Sequence, residues 1–576
     1  MIDPGRIRIP ASPSLTRLLQ PAIFIVGSLF YSLTASRTPG WMDATLVLSM
    51  VRKLDLGTWV DTHNLFNLLG FLWLKAWPRQ DAHFMLAILA GLFGALTISF
   101  IFRAVVELTG EVISACFAAL VLMVSHSLWW HSTMVNVKTL DSAILAIMVF
   151  FIFRYDRTGK PAWLFAASFC LGLGCVNHVL MGLFVFAFLA LVIYRIVRPR
   201  PHSGRHIGIA VLCALLGGAF YLYLFVCDVR DAMIVTGSGD VRAWMRNVWQ
   251  AFLPTFDDAT GGKFKQLMFA TNLPAGVARF WRINYAFLLG YNFPSPALAM
   301  AFYGLWVFWK KPAFRLSLVF FLIALLAQAV WSANYFVWDM YAFAQCVYVL
   351  LGIPIGLAAE RLLRSPPALR GAFLVLILPM LVLPGVIYAR MPSWYRNGGI
   401  MQRFFDSYPD ISLTAHTWDP VEFITNPDKR GYDKVKRYAE AFFAIVPQGT
   451  HFLSADSRAD YPLRYYYRDY LHVRTDIQYH SIWSPALTED GARDVALALR
   501  ACLDEGAPVY AASIQNPERP VLDQLFLLAA PARSLESIQA LSTDEYVRQF
   551  PGVELRKIVF SEAEQVWIYR LVLRAR

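Results

Sequence analysis

Charge is what this chain has least of. Of its 576 residues only 16% are Asp, Glu, Lys or Arg, against 57% hydrophobic, and the mean hydropathy is +0.47. A soluble multidomain protein carries about a quarter charged residues, so that class is excluded. Paired cysteine is lacking too. The seven Cys residues (116, 170, 175, 213, 227, 346, 502) include no CxxC and lie mostly inside apolar runs, with only Cys502 in the last third. Neither a disulfide framework nor a zinc site is indicated. The apolar stretch Leu18 to Leu33, behind Arg6, Arg8 and Arg17, has no A-x-A cleavage site after it and reads as an uncleaved first helix. A clear internal repeat, frequent in transporters, is also missing.

What the chain does have is a succession of uncharged apolar runs such as Phe84 to Phe102 and Gly371 to Ala389, near the roughly 20 residues that cross a bilayer. Eleven spans are expected: 18–36, 82–103, 110–127, 139–155, 162–177, 179–196, 207–226, 290–309, 314–331, 339–358 and 371–389. The net charge of +12 sits largely in short segments between these runs. It marks topology and predicts no nucleic-acid partner. Loops bearing Arg154, Arg157 and Lys160, then Arg195 to Arg205, then Lys310, Lys311 and Arg315, then Arg361, Arg364 and Arg370 fall on one side, expected to be cytoplasmic. The N-terminus then lies in the cytoplasm, and the protein is expected in the inner membrane of a bacterium.

The run Leu65 to Trp77 is too short to span and ends in Lys75 and Arg79. It is expected as an interfacial helix within an external loop, residues 37–81, with Trp73 and Trp77 at headgroup depth. Beyond Tyr388 hydropathy falls. Strand-like Thr450 to Ala455 and Pro508 to Ser513 and the helical period of Gly491 to Glu505 predict an α/β layer. The expectation is a polytopic α-helical membrane domain over 1–389 and a soluble, periplasmic α/β domain over 390–576.

Polar groups at the external helix ends carry the candidate chemistry, since such groups are costly at membrane depth unless paired or wet. The first loop supplies Asp43, Asp55, Asp61, His63 and Asn64; the 128–141 segment supplies Trp129, Trp130, His131, Asn136, Lys138 and Asp141. Asn177 and His178 mark a break between apolar helices, and Asn334, Asp339 and Tyr341 precede a late span. Asp43, opening a helical stretch after Pro39-Gly40-Trp41, suits either a cap or a general base. His178 suits either satisfaction of local backbone or a site role. Lys138, Arg279 and Arg282 are candidate phosphate partners, with headgroup snorkelling as the alternative for each. Trp129 and Trp130 fit an aromatic belt or a sugar platform. The spacing of His63, His131 and His178 with Asp43 belongs to no recognised ligand motif, so no cofactor is required, although a divalent metal is compatible. Gly261-Gly262-Lys263 is too short for a phosphate loop.

Laid out in this order, the residues resemble the C-type glycosyltransferases (GT-C), specifically the transmembrane protein O-mannosyltransferase-like family. Asp43-Ala44-Thr45-Leu46 meets an Asp-Ser-Gly-Glu-like motif at the aspartate, and His63-Asn64-Leu65-Phe66 meets a His-Pro-Pro-Gly-like segment at the histidine. The stretch from Ser127-Leu-Trp-Trp-His to Asn136-Val-Lys-Thr-Leu140 is similar to the family's Phe-Trp-Ser-Gln…Glu-Val-Tyr-Thr-Leu, with Asn136 in place of glutamate. Gly172-Leu-Gly-Cys-Val-Asn-His178 resembles Gly-Leu-Gly…Asn-His. Tyr335-Phe-Val-Trp-Asp339-Met-Tyr341 resembles an Asp-containing segment, and Asp456 to Tyr465 is similar to Asn-Asp-Asp…Pro-Leu-Trp-Tyr.

The resemblance implies an inverting transfer of a mannose-like sugar from a polyprenyl-phosphate donor to an extracytoplasmic protein or glycan acceptor, with Asp43 as base. Lys138 or Arg282 would stabilise the departing phosphate and His178 would bind phosphate or sugar. Two alternatives stay open: a transporter or flippase of lipid-linked sugars, and an inactive member, because Leu46 and Asn136 stand where the family has glutamate.

Overall fold

The structure, a computed structural model, describes residues 12–41, 43–57, 63–198, 203–236, 275–335, 340–396, 420–454, 460–481, 498, 501–513, 553–561 and 566–573. Its contacts divide the chain into two units. One comprises Met1–Ala35, Met50–Gln402 and Ile424–Arg430; the other comprises Ser36–Ser49, Arg403–Phe423 and Gly431–Arg576.

The first unit is helical. Six of its helices are long and apolar enough to cross a membrane: Pro13–Thr34, Ala82–Thr109, Val179–Val197, Pro312–Asn334, Gln345–Leu363 and Pro367–Trp394. Two bent pairs, Val112–Met123 with His126–Ser132 and Gly204–Gly217 with Ala219–Cys227, raise the number to eight if each is one span. The chain is a multi-pass membrane protein. Of the remaining expected spans, Lys138–Thr158 carries Lys138, Asp141, Arg154, Asp156 and Arg157, while Pro161–Asn177 and Ala297–Trp309 have 17 and 13 residues. Local chemistry sets the ends. Asp81 accepts from Phe84 N (2.8 Å) at the start of Ala82–Thr109, and Gly110 at φ 68° closes it.

Glycine brings several of these helices into backbone contact. A Cβ on Gly172 would lie 1.9 Å from Ala214 O, and one on Gly304 1.8 Å from Pro354 O, so at both crossings the absence of a side chain permits the packing. Asn64–Ala76 is a helix, as expected of the short run; Trp77 at its end is exposed, while the Trp73 indole donates to Met85 O at 2.9 Å.

Charged residues gather at one end of this unit. Glu107 pairs with Arg154 (2.6 Å) and Arg157 (2.7 Å), Glu360 with Lys311 (2.8 Å) and Arg364 (2.6 Å), and Glu111 with Arg364 (3.1 Å). Lys138–Thr158 reaches this end after 21 residues, about 30 Å at helical rise. Its first turn lies at the other end, beside Gln345, whose amide donates to Ser142 Oγ at 2.9 Å.

A late segment is stitched into the same unit by its backbone. Ile424 O meets His126 Nε2 at 2.6 Å, Thr425 O accepts from the Tyr291 hydroxyl at 2.9 Å, Pro427 O accepts from Thr133 Oγ1 at 2.8 Å, and Lys429 N donates to Thr34 O at 2.9 Å. Nothing in the hydropathy of residues 424–430 announces this.

The second unit contains a five-stranded mixed sheet of order β2-β1-β3-β5-β4, with β1 His451–Ser454, β2 Gln478–Ser481, β3 Val509–Ser513, β4 Val553–Ser561 and β5 Val566–Leu573. β1 runs parallel to β2 and β3, and β5 antiparallel to β3 and β4. Phe442 of the Lys434–Ile445 helix packs edge-on to Phe452 of β1 at 5.1 Å. Trp41, 1% exposed, lies in this core, with its indole donating to the Tyr432 hydroxyl at 2.6 Å.

Candidate functional site

The site is built in the first unit from three helix ends. Asn136 Oδ1 accepts from Lys138 N at 2.8 Å, a local turn that starts the Lys138–Thr158 helix and sets Lys138 as its first residue. The Pro161–Asn177 helix ends at His178, whose extended backbone (φ −153°, ψ 134°) breaks it before the short 3₁₀ turn Val179–Phe184. His63 stands immediately before Asn64–Ala76.

These ends meet. Lys138 Nζ lies 2.6 Å from His178 Nε2 and 4.4 Å from the centre of the Phe343 ring, a cation–π contact. The rings of His63 and His178 stack with centroids 5.1 Å apart and planes 10° from parallel. Asn177 fixes the group: its Nδ2 donates to Asp141 Oδ1 at 2.7 Å, its Oδ1 accepts from Phe66 N at 3.0 Å, and its carbonyl meets His63 Nδ1 at 3.1 Å. One carboxamide thus ties three segments together. Burial and the Lys138 charge lower the His63 pKa to about 3, so this half-buried ring is neutral.

Proton counting gives the cluster its chemical character. His178 Nδ1 accepts from Leu180 N at 3.1 Å, so the proton that any neutral imidazole carries is assigned to Nε2. That nitrogen faces Lys138 Nζ. An oxygen anion placed beside them would accept from both Lys138 Nζ and His178 Nε2. Beside this pair a small cavity is lined by Lys138, Asp141, Gln328, Phe343 and Gln345 among others.

The other sequence candidates are placed as follows. Trp129 and Trp130 are 8% and 3% exposed; Trp129 donates to Thr34 Oγ1 at 3.0 Å and packs on Phe30, and Trp130 lies under the Lys429 ammonium. His131 is buried with Nδ1 2.6 Å from Ser127 O. All three are buried. Arg279 and Arg282 are exposed on the Ala275–Asn292 helix. Asp43, exposed, belongs to the second unit and precedes the Ala44–Lys53 helix, its carbonyl accepting from Val47 N at 2.8 Å. Asp55 is also exposed, and its carbonyl accepts from the Asn67 amide at 2.9 Å. Tyr341 lies in the Met340–Phe343 helix. Asp61, Asp339, Gly261-Gly262-Lys263 and 456–459 lie outside the described residues. Among the described residues no group of three or more His, Cys, Asp or Glu is placed to hold a metal ion.

Two contributors escaped the sequence reading. Phe343 and Gln345 follow a late apolar run and look like ordinary span residues. Only the meeting of Met340–Phe343 with the Lys138 turn reveals them.

The fold is similar to that of a solved multi-pass membrane protein, and part of the sequence matches a described family. Residues 63–201 match the family described as the Protein O-mannosyl-transferase TMEM260 N-terminal domain, and that stretch holds His63, Lys138, Asn177 and His178. Protein O-mannosyl-transferase TMEM260 of Mus musculus is 23% identical over 183 residues, 31% of this chain; the match spans only 26% of that relative's length. Among solved structures, ArnT from Cupriavidus metallidurans bound to undecaprenyl phosphate is similar with a TM-score of 0.56 at 12% identity, over 97% of this chain and 98% of that one. The same protein in its apo state is similar with a TM-score of 0.54 at 13% identity, over the same shares.

Proposed function

We propose that the chain is a membrane glycosyltransferase that moves a mannose-like sugar from a polyprenyl-phosphate donor to an extracytoplasmic protein or glycan acceptor with inversion. The observation that carries this reading is the Lys138–His178 contact, two nitrogen donors converging at 2.6 Å with His63 stacked behind. Such a seat fits a phosphate oxygen. The acceptor oxygen bonds to the anomeric carbon while the bond from that carbon to the lipid phosphate breaks. The electron pair goes to the phosphate, where Lys138 and His178 donate to the new charge, and the acceptor proton goes to Asp43. An exposed carboxylate is accessible to an acceptor hydroxyl and suits that task.

The likeness to a structure bound to undecaprenyl phosphate supports a lipid-linked donor. Clustering of Arg154, Arg157, Lys311 and Arg364 at the end away from Lys138 supports a cytoplasmic placement of that end and an external placement of the site, in a bacterial inner membrane. We read residues 390–576 as a mainly soluble periplasmic part.

The test is purified full-length protein incubated with polyprenyl-phosphate mannose and a periplasmic acceptor extract. Wild type should form a glycosidic product, and Lys138→Ala should lose it while keeping its thermal unfolding midpoint. Lipid-linked sugar crossing vesicles without any glycosidic product would identify a flippase instead.

A further inference from the structure

A second polar cleft lies at the charged end of the first unit. It has a volume of about 370 Å³ and is lined by Trp306, Val307, Lys310, Lys311, Glu360, Arg361 and Arg364, four cations against one carboxylate. Glu360, 3% exposed, holds Lys311 Nζ at 2.8 Å and Arg364 Nη2 at 2.6 Å, so two of the cations are fixed in place. Among the described residues Lys310 and Arg361, both exposed, form no ion pair. Their charge is therefore available to a ligand.

The helix leading into this cleft is aromatic on the face it leaves open. Phe302, Trp306 and Trp309 of Ala297–Trp309 are 58%, 53% and 54% exposed. At spacings of four and three they share one face. The opposite side of the same helix is pressed on Gln345–Leu363 at the Gly304–Pro354 contact, so this helix cannot turn its aromatic face inward. The Lys310 ammonium lies 5.9 Å from the centre of the Trp306 ring, where apolar face and cationic wall join.

We propose that this cleft seats the phosphate of an anionic membrane phospholipid, with the acyl chains along Phe302, Trp306 and Trp309. Lys310 and Arg361 supply the mobile donors and Lys311 and Arg364 the fixed ones. Indole rings at the boundary suit headgroup depth, and a basic recess between spanning helices suits an anionic headgroup. A free anion would use the same cations but gain nothing from the aromatic face. The seat is remote from the Lys138–His178 cluster and independent of the reaction proposed there.

The experiment is native mass spectrometry of detergent-purified full-length protein with dioleoyl phosphatidylglycerol, dioleoyl phosphatidylcholine or inorganic phosphate. Wild type should retain phosphatidylglycerol in preference to phosphatidylcholine, and millimolar phosphate should not displace it. A Lys310→Gln/Arg361→Gln variant should hold phosphatidylglycerol roughly tenfold less well, and Trp306→Ala should lower retention of the lipid without creating phosphate binding. Equal retention of both lipids by wild type, equal phosphatidylglycerol retention by the double variant, or displacement by phosphate alone would each overturn the proposal. Should the double variant misfold, the competition on wild type decides.

Discussion

The ammonium of Lys138, first residue of its helix, lies 2.6 Å from Nε2 of His178, the residue on which another helix breaks. Two helix ends that the chain separates by 40 positions are thus joined at their most polar atoms. His178 also receives Leu180 N–H on its other nitrogen, so both ring nitrogens are engaged.

Removing one of these donors should cost transfer activity far more than stability. We expect Lys138→Ala and His178→Ala each to lower turnover by roughly a hundredfold. The double variant should lose much less than the product of the two, because both serve one oxygen cluster. Product formation from polyprenyl-phosphate mannose, measured across this double-mutant cycle, checks the coupling. Independent, multiplicative losses would separate the two residues.

Asp43→Asn keeps the size of the side chain and removes its basicity. Turnover should fall by about 10² to 10⁴, with the unfolding midpoint moving little because the side chain is exposed. Donor binding, read by titration with polyprenyl phosphate, should be unchanged. Undiminished transfer by this variant would take the base role from Asp43.

Asn177 acts through others. Its carboxamide partners Asp141 Oδ1 and Phe66 N, both buried, so Asn177→Ala leaves them without that partner. We expect a loss of about 2 kcal/mol or more in stability, seen as a lower unfolding midpoint in detergent. Restoring the amide one methylene further out, as Asn177→Gln, should recover little, because the contacts at 2.7 and 3.0 Å leave no room for adjustment.

Gly172→Val tests the helix crossing behind the break. A Cβ there would stand 1.9 Å from Ala214 O, backbone that cannot swing aside. Expression should fall, and what folds should melt earlier than wild type. Gly182→Ala, where a Cβ meets nothing within 4 Å, is the matched control and should behave as wild type.

His63 makes stability depend on pH. Its folded pKa is lowered to about 3 by burial and the Lys138 charge, against about 6.5 in the unfolded chain. Below the unfolded value the unfolded chain takes up a proton that the folded one refuses, so the contribution is fully present above about pH 6.5 and is lost as pH falls toward 3. Unfolding midpoints from pH 8 to 5 should fall less steeply for His63→Asn than for wild type. Parallel curves would contradict a neutral, stacked His63.

Much of this molecule is determined by its sequence because the bilayer is an unforgiving solvent. Runs such as Phe84 to Phe102 have no other economical home, and Ala82–Thr109 forms there as composition requires. Lys138, Asn177 and His178 were legible as candidates for the same reason, since polar groups are scarce at span ends and each needs a partner. Strands at His451–Ser454 and Val509–Ser513 also follow from local pattern.

Tertiary structure alone decided which candidates touch. Trp129, Trp130 and His131 look as promising in the chain as Lys138 does, yet the bent Val112–Met123 and His126–Ser132 pair turns them into the core. Phe343 joins Lys138, and 424–430 is bound by its carbonyls to His126, Tyr291 and Thr133, through contacts that bridge from 134 to 298 positions of chain and leave no periodic trace. Local propensity reports what a residue needs from its surroundings. Packing of distant helices selects the residue that supplies it.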